Sequence, residues 1–282
     1  MHIFKEIGSL KAYLKNHRPP HSKVGLVPTM GCLHAGHDSL VKASIKDNQV
    51  TVCSIYVNPT QFNNPADLEK YPRTLAEDLQ RLEALNCTAV FCPDDAVMYA
   101  EPATLKFDFG NLDKILEGEF RPGHYSGVAL VVSKLFHMVR PDVAYFGQKD
   151  FQQFMIISRL VKQLAFDIEL VCAPIVREHD GLAMSSRNVR LGEAERKRAN
   201  ALIDCLKESR TQLLGGASLE GIQKTAAAQF EKKNIRLEYL ALADREDLKL
   251  LEKIADPQDA ILLIAAYIGE VRLIDNIFLA DR

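Results

Sequence analysis

The alternation of short apolar runs with segments of helical spacing constrains the fold of this chain more than any other feature. Residues 23–28 form an apolar run, followed by a Gly-containing loop and a segment of helical spacing at 39–47. Residues 49–57 then alternate β-branched and small side chains and stop at Asn58-Pro59, a turn signal. Strand, helix, strand with short connections is a βαβ unit. It implies parallel pairing and a right-handed crossover, because a twisted strand feeding a right-handed helix packs back only that way. The pattern continues. Leu75, Leu79, Leu82 and Leu85 stand at helical spacing within 74–85, 88–92 is strand-like, 127–139 is helical, and 143–146 and 169–172 are again strand-like. Residues 1–175 therefore read as an α/β domain with a Rossmann-like, doubly wound parallel sheet.

After Pro174 the texture changes. Residues 193–214 form a charged amphipathic helix ended by Gly215-Gly216, and Ser218 is placed to cap a second helix over 219–232. Three strand-like runs follow at 235–242, 260–268 and 271–279, the last two joined around Gly269. Helices followed by strands predict a smaller α+β domain over 176–282, a candidate lid over an active site. No internal repeat or low-complexity tract interrupts either part.

Composition narrows the function classes. The 282 residues are 47% hydrophobic and 26% charged, an ordinary globular balance long enough for two domains. A net charge of −2 leaves no overall basic field to recruit nucleic acid. The most basic short stretch, Arg196-Lys197-Arg198, sits behind Glu193 and Glu195 and reads as a solvated helix face. The six cysteines, at 32, 53, 87, 92, 172 and 205, form no Cys-x-x-Cys pair and lie mostly in apolar runs. That fits a reducing compartment better than a disulfide framework. The first residues lack the basic-then-apolar pattern of a secretory signal. The apolar stretch at 261–268 is far shorter than the roughly 20 residues that span a bilayer. The expected location is cytoplasmic, with no membrane association.

Three segments carry candidate chemistry. The first is Pro28-Thr29-Met30-Gly31-Cys32-Leu33-His34-Ala35-Gly36-His37, where the first strand gives way to the first helix. In an open α/β sheet ligands bind at that edge, where backbone N–H groups and the helix dipole favour anions. Gly31 permits a close backbone approach and Gly36 close packing at the helix start. His34 and His37 share a face if they lie on one helical turn, and two imidazoles there suit nucleotide phosphates. A zinc pair and two polar residues of a surface turn are the rival readings, although no carboxylate or Cys stands at a matching helical offset. No Gly-x-Gly-x-x-Gly follows a strand. The second segment is Tyr145-Phe146-Gly147-Gln148-Lys149-Asp150-Phe151-Gln152-Gln153, which also leaves a strand and opens a helix. Lys149 is a point charge for phosphate there, or a solvated surface lysine. The third, Met184-Ser185-Ser186-Arg187-Asn188, reads as a phosphate-binding loop or a polar linker.

Together, the His-x-Gly-His signature, the later Lys and the Met-Ser-Ser-Arg loop resemble the adenylate-forming nucleotidyltransferases related to class I aminoacyl-tRNA synthetases. Within that group the chain resembles the pantothenate synthetase family. The resemblance rests on residues 28–37, Tyr56-Val57-Asn58-Pro59-Thr60-Gln61-Phe62, Tyr71-Pro72-Arg73-Thr74 and residues 146–153. Residues 120–128 and Ser185-Ser186-Arg187-Asn188 extend it, so that it runs from about residue 20 to 190. Glu77 stands where an Asp is common.

The resemblance implies activation of pantoate by ATP as pantoyl-adenylate with release of pyrophosphate, then displacement of AMP by β-alanine. It implies catalytic roles for His34, His37, Lys149, Ser185 and Arg187, with Mg²⁺ on the phosphates and no protein metal ligand assigned. It places ATP over Met30, Gly31, Cys32, Leu33, His34, Ala35, Gly36, His37, Gly147, Gln148, Lys149, Asp150, Val176, Met184, Ser185, Ser186 and Arg187. Pantoate is expected against Gln61 and Gln153, with Met30 and Phe62 as an apolar wall, and β-alanine against Gln61. A homodimer is implied as well. Two other readings remain: a nucleotidyltransferase acting on a phosphate-bearing acceptor, and a nucleotide sensor or tRNA-binding relative without ligase activity. The first would need more cations than Gln61 and Gln153 supply, and the balanced charge argues against tRNA.

Overall fold

The computed structural model describes residues 1–280. Among them, six strands build one sheet: β1 (His2–Phe4), β2 (Val24–Thr29), β3 (Val50–Ile55), β4 (Ala89–Phe91), β5 (Val143–Gly147) and β6 (Glu169–Ala173). They pair in the order β1-β4-β3-β2-β5-β6, and every pairing is parallel. β3 is buried at every position and β2 at all but Pro28, as expected of parallel strands covered on both faces. From β2 the sheet grows through β3 and β4 in one direction and through β5 and β6 in the other. The carboxyl ends of β2 and β5 therefore flank a topological switch point, the place where open α/β sheets receive ligands.

One face of this sheet is covered by the helices Ala35–Asp47 and Leu75–Ala84. Their Leu40, Val41 and Leu82 pack with Val27, Cys53, Val90 and Tyr145. Gly25 sets how close the first helix comes. A Cβ at that position would lie 2.1 Å from Ser44 Oγ and 2.7 Å from Asn48 Nδ2. The helices Ile7–His17 and His124–Val139 pack together, the second also reaching β2. Local pattern did not predict β1 or the helix Ile7–His17. β1 is a three-residue edge strand with two exposed positions, too short to show alternation.

The second sheet is antiparallel, in the order β7 (Ile235–Asp244), β8 (Ala260–Ile268), β9 (Val271–Phe278). β7 carries a bulge between Leu237 and Tyr239. The helices Ala201–Leu214 and Leu219–Lys232 bury Leu202, Leu206, Ile222 and Phe230 against Leu240, Leu262 and Ile264. Ser218 caps the second helix by accepting from Gly221 N–H at 3.2 Å, as the sequence predicts. The helix expected over 193–214 is two helices, Glu193–Ala199 and Ala201–Leu214. The pause falls at Asn200, whose side chain joins Arg196 in holding Asp180, a tertiary contact without a local signature.

The chain divides into two compact units, Met1–Gly147 with Ile156–Pro174, and Gln148–Met155 with Ile175–Arg282. The short segment Gln148–Met155, placed with residues 1–175 on sequence grounds, thus groups with the second unit. The fold is the expected one, a doubly wound parallel sheet with a smaller α+β part. No helix among the described residues is long and apolar enough to cross a membrane.

Candidate active site

β2 ends at Thr29, whose hydroxyl donates to the Ser54 carbonyl at 2.7 Å and accepts Gly31 N–H at 3.2 Å. The chain then turns through Gly31 at φ +79° and Cys32 at φ +49°. A Cβ on Gly31 would meet Asp78 Oδ2 at 2.9 Å, so glycine is required both by backbone and by space. Asp78 is buried in the first turn of the helix Leu75–Ala84 and takes the N–H groups of Cys32 at 2.9 Å and Leu33 at 2.7 Å. Three residues further along the same helix, Arg81 makes a two-bond pair with Asp38, at 2.6 and 2.8 Å. One helix thus fixes both the loop and the start of the helix it leads into.

His34 is the N-cap of the helix Ala35–Asp47, which begins four residues earlier than its apolar periodicity alone predicts. Its Nδ1 accepts Gly36 N–H at 3.2 Å, while His37 Nδ1 accepts His34 N–H at 3.3 Å. The two rings lie 4.1 Å apart between centroids. These reciprocal bonds decide the tautomers. Each Nδ1 is an acceptor, so in a neutral ring each Nε2 carries the proton and is the donor. The sequence reading offered both backbone N–H groups and the two imidazoles here to an anion. The N–H groups of Cys32, Leu33, His34 and Gly36 already have protein partners.

After β3, Pro59–Gln61 forms a single 3₁₀ turn in which Gln61 is buried. Asn58 Nδ2 donates to Gln61 Oε1 at 3.0 Å, and Gln61 Nε2 contacts Met30 Sδ at 3.1 Å. The structure therefore brings Gln61 to Met30, the proposed polar and apolar contacts of one substrate. Buried His124 donates from Nδ1 to the Gln61 carbonyl at 2.8 Å. Gly127, on the same helix, sits so close that a Cβ would lie 2.3 Å from the Thr60 carbonyl oxygen. Phe62 packs edge-on against Tyr71, with ring centroids 5.8 Å apart.

In the second unit, Gln148–Asp150 forms a 3₁₀ turn leading into the helix Phe151–Gln163, on which Gln153 is half-buried. Lys149 Nζ lies 3.4 Å from the Asp150 carboxylate. Val176 and Met184 face each other across a hairpin, Met184 N–H donating to Val176 O at 3.0 Å. Ser185 caps the following turn, its hydroxyl accepting Arg187 N–H at 3.2 Å, and Ser186 is buried.

Sequence reasoning assigned no role to four residues that hold these groups in place: Asn58, Asp78, His124 and Asn276. Asn58 and His124 lie in stretches that carried the resemblance, which was the available signal. Asp78 bonds the Cys32 and Leu33 N–H groups and Asn276 the Gln148 and Lys149 carbonyls, contacts that join residues far apart in sequence. No group of three or more His, Cys, Asp or Glu among the described residues is arranged to hold a metal ion.

The sequence profile of pantoate–β-alanine ligases matches residues 2–278. The chain is 47% identical over 277 residues to a pantothenate synthetase of Bacteroides fragilis, covering 98% of both chains. It is 44% identical over 282 residues to one from Porphyromonas gingivalis, covering 100% of both. The chain belongs to the pantoate–β-alanine ligase family. Among solved structures, a pantothenate synthetase from Thermus thermophilus superposes with a TM-score of 0.92 at 37% identity, over 100% of both chains. A pantoate–β-alanine ligase from Francisella tularensis, described as complexed with beta-gamma ATP and β-alanine, superposes with a TM-score of 0.84 at 34% identity, covering 99% of this chain and 98% of its own. The ligase family thus accounts for both units, including the part after residue 190 where the sequence motifs thin out.

Proposed function

We infer that this chain condenses pantoate with β-alanine, consuming ATP and releasing AMP and pyrophosphate through a pantoyl-adenylate. Membership of the ligase family carries the reading, and the His34–His37 loop at the switch point supports it on chemical grounds. In the first step a pantoate carboxylate oxygen bonds to the α-phosphorus as the bond to pyrophosphate breaks. A carboxyl group with a pKa of about 4 is ionised at neutral pH, so this step needs no general base. The difficulty is bringing an anion to a polyanion, and fixed donors and cations meet it by electrostatic preorganisation.

We assign phosphate contacts to His34 and His37, through their Nε2–H groups, and to Lys149, Ser185 and Arg187. The nucleotide is assigned to the remaining residues of 30–37, to 147–150, to Val176 and to Met184 and Ser186. Gln61 and Gln153 are assigned to pantoate, and Gln61 also to β-alanine. Neutral amides orient a carboxylate without binding its ground state as tightly as full cations would. In the second step the β-alanine amine, having released a proton to solvent, attacks the acyl carbon; AMP leaves with the bonding electrons and the nitrogen gives up a second proton as the amide forms. Mg²⁺ is expected to arrive on the phosphates of ATP; no protein ligand is assigned to it.

We also place the protein in the cytoplasm, supported by six cysteines of which none forms a disulfide among the described residues, and expect a homodimer, for which light scattering is the check. The function itself is tested by release of pyrophosphate and AMP from ATP, with pantoate alone and with β-alanine added. Loss of pantoate-dependent release in a folded His37→Ala variant is the expected result. Release independent of pantoate would sink the substrate assignment.

A further inference from the structure

Asn276, on β9, makes three side-chain bonds to the turn that carries Lys149. Its Nδ2 donates to the carbonyls of Gln148 and Lys149, both at 3.0 Å, and its Oδ1 accepts from Gln148 Nε2 at 3.1 Å. Asn276 is itself buried and held from behind. Its backbone N–H donates to the neighbouring Asp275 carboxylate at 2.8 Å. That carboxylate is buried and forms a two-bond pair with Arg177, at 2.7 and 3.0 Å. Burial pushes the Asp275 carboxyl upward while Arg177 pulls it down, a balance kept only while the guanidinium stays in place.

Arg177 extends the arrangement. It also donates to the Gly181 carbonyl at 3.1 Å, inside the hairpin that leads to Met184 and Ser185. Two segments far apart in sequence, the 148–150 turn and the 176–184 hairpin, are thereby tied to adjacent residues of one strand. A surface lysine would need no such support. A buried amide spent on two main-chain carbonyls fixes the direction in which the Lys149 side chain leaves the turn.

We propose that Asn276, backed by the Asp275–Arg177 pair, is a positioning residue for adenylation, setting the Lys149 ammonium against the ATP phosphates. This rests on the function proposed above. It predicts that Asn276 acts through Lys149, which a merely structural role would not do.

A double-mutant cycle on the full chain tests this, read by pantoate-dependent exchange of pyrophosphate with ATP and by thermal melting. Misplacing a charge by about an ångström costs about 10²-fold, so Asn276→Ala is expected to lower kcat on that scale while KM for pantoate changes less than about twofold. In a Lys149→Ala background the same substitution should cost less than about threefold, because the coupled term is already gone. Asn276→Asp removes both Nδ2 donations at nearly constant size and serves if the alanine variant does not fold. Equal losses in both backgrounds, or full activity of a folded Asn276 variant, would overturn the proposal while leaving the ligase function standing. Absence of pantoate-dependent exchange in the wild type would remove both.

Discussion

Asp78 accepts the backbone N–H of Leu33 at 2.7 Å, across 45 residues of chain. Its second oxygen takes Cys32 N–H at 2.9 Å, so one buried carboxylate holds the loop between β2 and His34 before any substrate arrives. Asp78→Asn would turn one acceptor into an NH₂ group facing an N–H donor. An unsatisfied buried donor costs roughly 1–3 kcal/mol, which is the expected loss in urea denaturation. Pyrophosphate release should fall as well, in protein still fully folded. An unchanged denaturation midpoint would mean that the loop finds another acceptor.

Gln61 depends on the helix behind it. Gly127→Ala would set a methyl group 2.3 Å from the Thr60 carbonyl oxygen and 2.7 Å from Gln61 N, forcing the turn away from the His124 bond. The expected result is a rise in KM for pantoate of about tenfold, the scale of one hydrogen bond, with KM for ATP little changed. Steady-state kinetics with each substrate varied separately will show it. An equal rise for both substrates would argue against a pantoate-specific role.

Burial pushes the thiols of Cys53, Cys92 and Cys205 upward, and that of Cys87 up to about 11. Few thiolates form at those positions at pH 8, and access is blocked as well. Iodoacetamide at that pH should therefore label the half-buried Cys32 and Cys172 and spare the other four. ATP should protect Cys32 if the nucleotide covers residues 30–37. Peptide mapping by mass spectrometry reads both outcomes, and rapid labelling of Cys53 in the native protein would contradict the first.

The bonds from Arg196 hold the Asp180 carboxyl down at about 2. Its unfolded value is about 3.9, so the pair adds stability above that pH and loses it as pH falls through about 2. Wild type should melt above Asp180→Asn at pH 6, and the difference should shrink as the pH is lowered toward 2. A difference that stays constant with pH would show that the carboxylate charge contributes nothing.

The parallel sheet was legible because β2 and β3 are buried on both faces and separated by one helix of ordinary length. The hairpin of β8 and β9 was legible from apolar runs around Gly269, which turns at φ +58°. Helix starts were less legible. The His34 cap and Gly123 at φ +80° each begin a helix before its apolar spacing does, because capping is a matter of hydrogen bonds and backbone angle. Motif residues such as His34, His37, Gln61 and Lys149 stood out by type and position. Their supports did not. Asp78 and Asn276 reach those residues through the Leu75–Ala84 helix and β9, and a carboxylate in a helix's first turn or an amide in a strand looks like any other until packing places it.

Activation of pantoate at its carboxylate leaves an isotopic trace. Pantoate labelled with ¹⁸O in both carboxylate oxygens would be turned over with ATP and β-alanine, and the AMP analysed by mass spectrometry. Attack of the carboxylate on the α-phosphorus leaves one carboxylate oxygen on the phosphate when the amine displaces AMP, so one ¹⁸O per AMP is expected. AMP free of label, or ADP with labelled phosphate, would contradict an acyl-adenylate.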